Sequence, residues 1–181
     1  MARPAAKAVL ITGVFGTGKS SLAAELAYQL ERRGAPYAAI DLDWLLWFDS
    51  GLDDAASDDV FWRNVRAVVA NYLAAGVRYF VLAIAIRDRA ELDGLATAVG
   101  VPMRVVRLEV PLDEIERRLL ADATTERRDD LRRAGEWLDA ATGAELADLT
   151  LRNEGPISEL AATVLDWLGW NIPRTERAAR P

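Results

Sequence analysis

Cysteine and histidine are both absent from this 181-residue sequence. Without cysteine there are neither disulfides nor thiolate metal sites, and without histidine the usual general base and the usual zinc ligand are missing too. Catalysis would have to use carboxylates, lysine, arginine, hydroxyls, backbone amides or a bound cation. Positive charge is in deficit, with 22 Lys and Arg against 28 Asp and Glu and a formal net charge of -6. No global positive field therefore draws in a nucleic acid backbone. Long apolar runs are lacking as well: the longest, Tyr79 to Ile86, falls far short of the roughly 20 residues of a spanning helix. The N-terminal MARPAAKA has no apolar core of a secretory signal. Together these absences predict a soluble, cytoplasmic protein with no nucleic acid or membrane partner.

With 51% hydrophobic residues the chain can bury a substantial core, and its length suits one domain spanning 1–181. Ala8 to Thr12 is a short apolar run ending at Gly13, and Lys19 to Arg33 carries Leu22, Leu26 and Leu30 at helical spacing before Gly34. Tyr37 to Ile40 reads as a second strand entering an aromatic and acidic loop, followed by a helix over Phe61 to Ala75. Tyr79 to Ile86 is apolar throughout, as a central parallel strand covered on both faces would be. A short helix follows at Arg89 to Val99, then a strand at Met103 to Val110. Pro111 opens another helix, Asp148 to Leu151 is a last strand, Pro156 to Leu168 is a closing helix, and RTERAAR is a frayed tail. Five strands alternating with helices predict an α/β fold: a five-stranded parallel sheet of the P-loop NTPase kind, helices on both faces, ligands at the carboxyl ends of the strands.

Gly13, Gly18, Lys19 and Ser20 satisfy G-x-x-x-x-G-K-[ST] between the first strand and the first helix. The glycines, with Gly16 as a third, permit the backbone angles that turn successive N–H groups inward as an anion nest at a helix N-terminus. Lys19 would reach the β and γ phosphates and the Ser20 hydroxyl would ligate Mg2+. A chance glycine turn is the alternative, but strand before and helix after make it remote. The nucleotide contacts are assigned to Gly13, Phe15, Gly16, Thr17, Gly18, Lys19, Ser20 and Ser21.

The Asn-Lys-x-Asp motif of GTPases is missing. Motor and AAA-type ATPases usually end an apolar strand in Asp or Asp-Glu, whereas Tyr79 to Ile86 runs into Arg87-Asp88. Small-molecule kinases need a carboxylate near the γ phosphate to orient or deprotonate the acceptor, and arginines to spread the charge in transfer. Asp41 and Asp43 follow the second strand, and alternation in an extended segment points both the same way. One would take the acceptor proton and the other, Asp41 in the metal assignment, would hold magnesium; a plain Asx turn is the bland reading. The polar segment at 122–135, with Arg127, Arg128, Arg132 and Arg133, reads either as a lid bringing guanidinium groups to the phosphate or as a solvated helix of i,i+4 ion pairs. Arg127 and Arg128 are its catalytic candidates.

In this order of features the chain resembles the P-loop small-molecule kinases: adenylylsulfate, shikimate and gluconate kinases, chloramphenicol phosphotransferase, and ATP-binding, kinase-like proteins of high-GC bacteria. The resemblance implies that Asp41 and Asp43 stand where adenylylsulfate kinase has its Asp-Gly-Asp, with Leu42 replacing the glycine. It also implies that Arg87 and Arg89 bind substrate, that Arg118 stacks on adenine, and that Asn153, Gly155 and Pro156 form a loop around the base. Shikimate kinase's Gly-Gly-Gly is missing, so the substrates of these two kinases are not supported.

On the acceptor side, Trp44, Trp47, Phe48, Phe61 and Trp62 would either wall a pocket or, for at least half of them, fill core. The acidic run Asp49, Asp53, Asp54, Asp58 and Asp59 would attract a cationic acceptor or simply form a solvated loop. Arg63 and Arg66 would face an anionic one. The reading is a kinase, monomeric or homodimeric, that moves the γ-phosphoryl group of ATP with Mg2+ to a hydroxyl of a small-molecule acceptor. The alternatives are a nucleotide kinase acting on a nucleoside monophosphate and a non-catalytic ATP-binding sensor.

Overall fold

The computed structural model describes residues 5–49, 51, 53–120, 144–170 and 172, with backbone alone at 54 and 118–120. The sequence-predicted lid, with Arg127, Arg128, Arg132 and Arg133, the RTERAAR tail, and the side chain of Arg118 lie outside the described residues.

Apolar stretches of five to seven residues build the sheet: β1 (Lys7–Thr12), β2 (Tyr37–Asp41), β3 (Tyr79–Ala83) and β4 (Met103–Glu109), with the shorter β5 (Leu149–Arg152) at one edge. All pairings are parallel, in the order β2-β3-β1-β4-β5. The helices are α1 (Lys19–Arg32), α2 (Asp43–Leu46), α3 (Asp54–Ala74), α4 (Arg89–Val99), α5 (Leu112–Leu120) and α6 (Ile157–Trp167).

Side-chain alternation divides the core between the two faces of the sheet. Val9 and Ile11 of β1 turn to the face covered by α1 and α6, where Leu22, Leu26, Leu30, Val164 and Leu165 are buried with them. Ala8 and Leu10 turn to the other face, against Val65 and Val69 of α3 and Leu92 and Leu95 of α4. β3, covered on both sides, is buried at every position, as its unbroken apolarity requires. Because the chain crosses over β1 between β3 and β4, the ends of β1, β3 and β4 form the crevice where such sheets bind ligands. Among the described residues no helix is long and apolar enough to cross a membrane.

Two boundaries differ from the sequence reading by more than two residues. β3 stops at Ala83 rather than Ile86: Ile84 N–H makes the last ladder bond, to the Ile11 carbonyl at 3.2 Å, and Ile86 N–H turns instead to Thr12 Oγ1 at 3.0 Å. The acidic stretch is not a loop throughout. α3 begins at Asp54, seven residues before the expected Phe61, and Asp53 caps it by accepting from Ala56 N–H at 2.8 Å. Carboxylates at a helix start satisfy open amides and the positive end of the dipole, so an acidic sequence there favours helix.

Candidate functional site

The turn between β1 and α1 runs through left-handed backbone at Gly13 (φ 136°), Gly16 (φ 81°) and Gly18 (φ 94°). Its surroundings forbid side chains at two of these. A Cβ on Gly13 would stand 2.5 Å from the Leu108 carbonyl oxygen of β4, and one on Gly18 would stand 2.6 Å from Asn153 Nδ2. Between them, Thr17 N–H and Oγ1 both donate to the Val14 carbonyl, at 3.4 and 2.9 Å. The loop thus ends in the open amides of the first turn of α1, a geometry that cradles anions.

Lys19 is only 7% exposed. Its Nζ donates to the Val14 carbonyl at 3.3 Å and sits 5.2 Å from the centre of the Phe15 ring. Asn153 is buried beneath the loop, its Nδ2 donating to the Thr17 carbonyl at 2.8 Å and its own N–H donating to the Glu109 carbonyl at 2.9 Å. The side chain expected beside the base is therefore a brace between β4, β5 and the phosphate loop. Gly155 and Pro156 follow it on the surface, with Pro156 preceding α6.

At the end of β2, Asp41 Oδ2 accepts from Ser20 Oγ at 2.6 Å, which unites the two sequence-predicted metal ligands. Asp41 Oδ1 accepts from Asp43 N–H at 3.2 Å, an Asx turn that fixes the carboxylate. The expected alternation fails here: Leu42 is helical (φ -76°, ψ -15°) and Asp43 is the first residue of α2. The two carboxylates consequently serve different places, Asp41 at Ser20 and Asp43 on a neighbouring cleft. Ser21 lies on the exposed side of α1.

That cleft encloses about 370 Å³ beside the phosphate loop. Phe15 of the loop and Asp43 and Leu46 of α2 form one side; Asp58, Phe61 and Trp62 of α3 form another. Ile84 to Arg87 and Glu91 complete it. Trp62 meets Phe61 edge to face at 4.6 Å between ring centres. It can lie against α4 because position 94 is glycine, where a Cβ would come within 3.3 Å of the indole.

Several sequence-predicted acceptor residues stand elsewhere. Trp44 and Trp47 stack on each other at 5.2 Å and are 67% and 69% exposed. They occupy the face of α2 next to the one that Asp43 and Leu46 turn to the cleft. Of the five rings, only Phe61 is fully buried, Trp62 is half-buried, and Trp44, Trp47 and Phe48 are exposed, contrary to the expectation that at least half fill core. Arg63 pairs with Asp59 at 3.2 Å on the outside of α3, and Arg66 and Arg89 are exposed and do not line the cleft.

Arg87 does line it, but Glu91 holds it: Arg87 N–H donates to Glu91 Oε2 at 2.8 Å and the guanidinium pairs with Glu91 Oε1. The hydrogen bond that the guanidinium donates to Glu91 raises its pKa above the usual value. Partial burial opposes this, and the charges of Glu91, Asp88 and Asp58 add to it.

The sequence reading missed Glu91 and Leu46 as cleft residues, since neither sits in a motif; of the described side chains in the acidic run it named, Asp58 alone lines the cleft. It also missed Arg107, a buried arginine of β4 in register with Thr12 at the start of the loop, its Nε 3.4 Å from Glu109 Oε1. An arginine inside the apolar run Met103 to Val110 was the available signal.

Comparison with known proteins places this architecture. Residues 9–142 match the family described as AAA domain. A sugar kinase from Janibacter sp. HTCC2649 is 20% identical with a TM-score of 0.65, the match covering 92% of this chain and 95% of that one. A gluconokinase from Sinorhizobium meliloti 1021 is 19% identical with a TM-score of 0.61, covering 95% of each chain. The APS kinase CysC from Mycobacterium tuberculosis, solved with AMPPNP and APS, is 29% identical with a TM-score of 0.59, covering 92% of this chain and 99% of that one. No curated protein matches in sequence. The sequence reading set AAA-type ATPases aside because the run Tyr79 to Ile86 ends in Arg87-Asp88 rather than in Asp or Asp-Glu; that departure stands beside the match. The chain belongs to the AAA domain family of P-loop proteins, and its fold is that of the P-loop small-molecule kinases.

Proposed function

We propose that the protein is an ATP-dependent phosphotransferase that moves the γ-phosphoryl group to a hydroxyl of a small molecule. One observation carries this reading: the phosphate loop and a cleft share a wall at Phe15, with Asp41 beside the loop and Asp43 on the cleft. Phosphate grip and acceptor space are thus adjacent, as phosphoryl transfer requires. The names of the structural neighbours, sugar kinase, gluconokinase and APS kinase, agree with it.

The residues fit their tasks. The glycine turn and the first amides of α1 would hold the triphosphate, and Lys19 would leave the Val14 carbonyl to lie against its outer oxygens. Ser20 and Asp41, already in contact, would hold Mg2+, which supplies charge neutralisation along the phosphates. In transfer, the acceptor hydroxyl gives its proton to Asp43 or Asp41 as its oxygen bonds to the γ phosphorus. The bond from that phosphorus to the bridging oxygen breaks, its electron pair leaves on ADP, and the carboxylate returns the proton to solvent. Arg127 and Arg128, with Arg118, are assigned to the phosphate and the adenine by sequence resemblance. A cytoplasmic location and a possible homodimer complete the reading.

A nucleoside monophosphate acceptor finds no support in the cleft, whose carboxylates would face its phosphate. The test is incubation of the protein with Mg–ATP and a panel of metabolites and antibiotics, with mass spectrometry of phosphorylated products. Lys19→Ala should cut transfer about a hundredfold or more with unchanged circular dichroism. Full activity in that variant, or no phosphorylated product from any acceptor with the unaltered chain, would refute the proposal.

A further inference from the structure

The sequence leaves the acceptor's charge open, because arginines and acids surround the same region. The structure separates them. Arg63 is paired to Asp59 outside the cleft, and Arg66 and Arg89 are exposed and do not line it. Among the described arginines only Arg87 reaches the lining, and Glu91 occupies its backbone N–H and its guanidinium together. A carboxylate ligand competing for Arg87 would have to displace an internal ion pair formed within one helix turn.

What remains facing the space is acidic and aromatic. Asp58 is an exposed residue of α3 whose charge acts on Arg87, and Asp43 of α2 also lines the cleft. Counted among the described lining residues, three carboxylates (Asp43, Asp58, Glu91) face one guanidinium. Phe15 and Trp62 supply ring faces beside them. An ammonium group is favoured by such a set twice over, by charge-assisted hydrogen bonds to carboxylate and by the negative faces of the rings. A carboxylate or phosphate group meets like charge without a partner.

Resting on the phosphotransferase reading above, we infer that the acceptor is an amino alcohol: a hydroxyl compound bearing a protonated amine and a ring or apolar body. The amine lies toward Asp58, the body lies against Trp62 and Phe15, and the hydroxyl faces the phosphate loop. This deepens the proposed reaction by naming a substrate class, and it sets the chain apart from an acceptor of sugar-acid or nucleotide type.

Three probes that share a phenyl ring and a hydroxyl test the charge: 2-phenylglycinol, its N-acetyl derivative and mandelate, which are cationic, neutral and anionic at pH 7. Binding to the full chain is measured by calorimetry with Mg2+ and a non-hydrolysable ATP analogue, and transfer from ATP is read by mass spectrometry. The cationic probe should bind at least about tenfold tighter than mandelate, by a margin that shrinks as salt rises. Asp58→Asn should narrow the margin about fivefold, whereas Asp166→Asn on the far side of the molecule should leave it unchanged. Glu91→Gln, which releases Arg87, should shift the preference toward mandelate; if that variant does not fold, Asp58→Asn alone decides.

Equal or reversed preference, a margin indifferent to Asp58, or retention of none of the probes would overturn the inference. Titration with the nucleotide in the same experiment keeps the two readings apart. Nucleotide binding with transfer to a neutral or anionic acceptor defeats the amino alcohol and leaves the kinase standing. Failure to bind nucleotide defeats both.

Discussion

The phosphate loop and the acceptor cleft share Phe15 and little else. The loop is eight consecutive residues whose conformation is forced from several directions: three left-handed glycines, a backbone carbonyl at Gly13, and an asparagine brace at Thr17. The cleft is assembled from α2, α3, the segment after β3 and α4, and no two of its walls are fixed by a common motif. A triphosphate tail looks the same in every nucleotide, so one rigid solution serves. An acceptor varies, so its space is made by side chains that can change without disturbing the backbone.

If this contrast is right, damage to the loop should be large and shared by every nucleotide-dependent property, while damage to the cleft should be selective. Gly13→Ala is the most severe test. The new methyl meets the backbone of Leu108, which cannot rotate away, in a backbone region that alanine disfavours. Thermal denaturation should show a loss of about 3 kcal/mol, and calorimetry should detect no nucleotide binding. Next, Trp62→Ala removes a half-buried ring and should cost about 2 kcal/mol. Acceptor KM should rise while the KM for ATP stays level; an equal rise in both would erase the distinction between the regions.

Asn153→Ala leaves the buried Thr17 carbonyl without its donor and should cost about 1–2 kcal/mol. Here nucleotide affinity should fall several-fold with acceptor KM unchanged, the mirror image of Trp62→Ala. The smallest effect is expected at Gly94→Ala. Gain in helix propensity opposes a contact at 3.3 Å with the Trp62 indole, so stability should move by less than about 1 kcal/mol. A blue or red shift of tryptophan emission would report the displaced ring.

The same contrast explains what could be read from the sequence. Each strand was visible as a short, largely apolar run between turns, most clearly β3, which is covered on both faces and apolar throughout. The end of β3 was not, since Ile84 and Ile86 continue the apolar run past the strand: both are buried in the core and line the cleft. The start of α3 was hidden because Asp53 and the acids after it look like a solvated loop until the cap is seen. The loop glycines and Lys19 were legible because their chemistry is local. Trp44 and Trp47 were misleading because nearness to Asp43 in sequence says nothing about which face of α2 they take, and Asp58 and Glu91 could be joined to Asp43 only through tertiary packing.

The brace at Asn153 has a further consequence for the life of the polypeptide. It reaches Thr17 across 136 positions, so the nucleotide cradle emerges early from a ribosome yet is completed by a residue made much later. A nascent chain lacking residues 149–153 would present the glycine turn without its support or the edge strand that carries it. The turn between β1 and α1 therefore reaches its finished packing only after the last strand has been made.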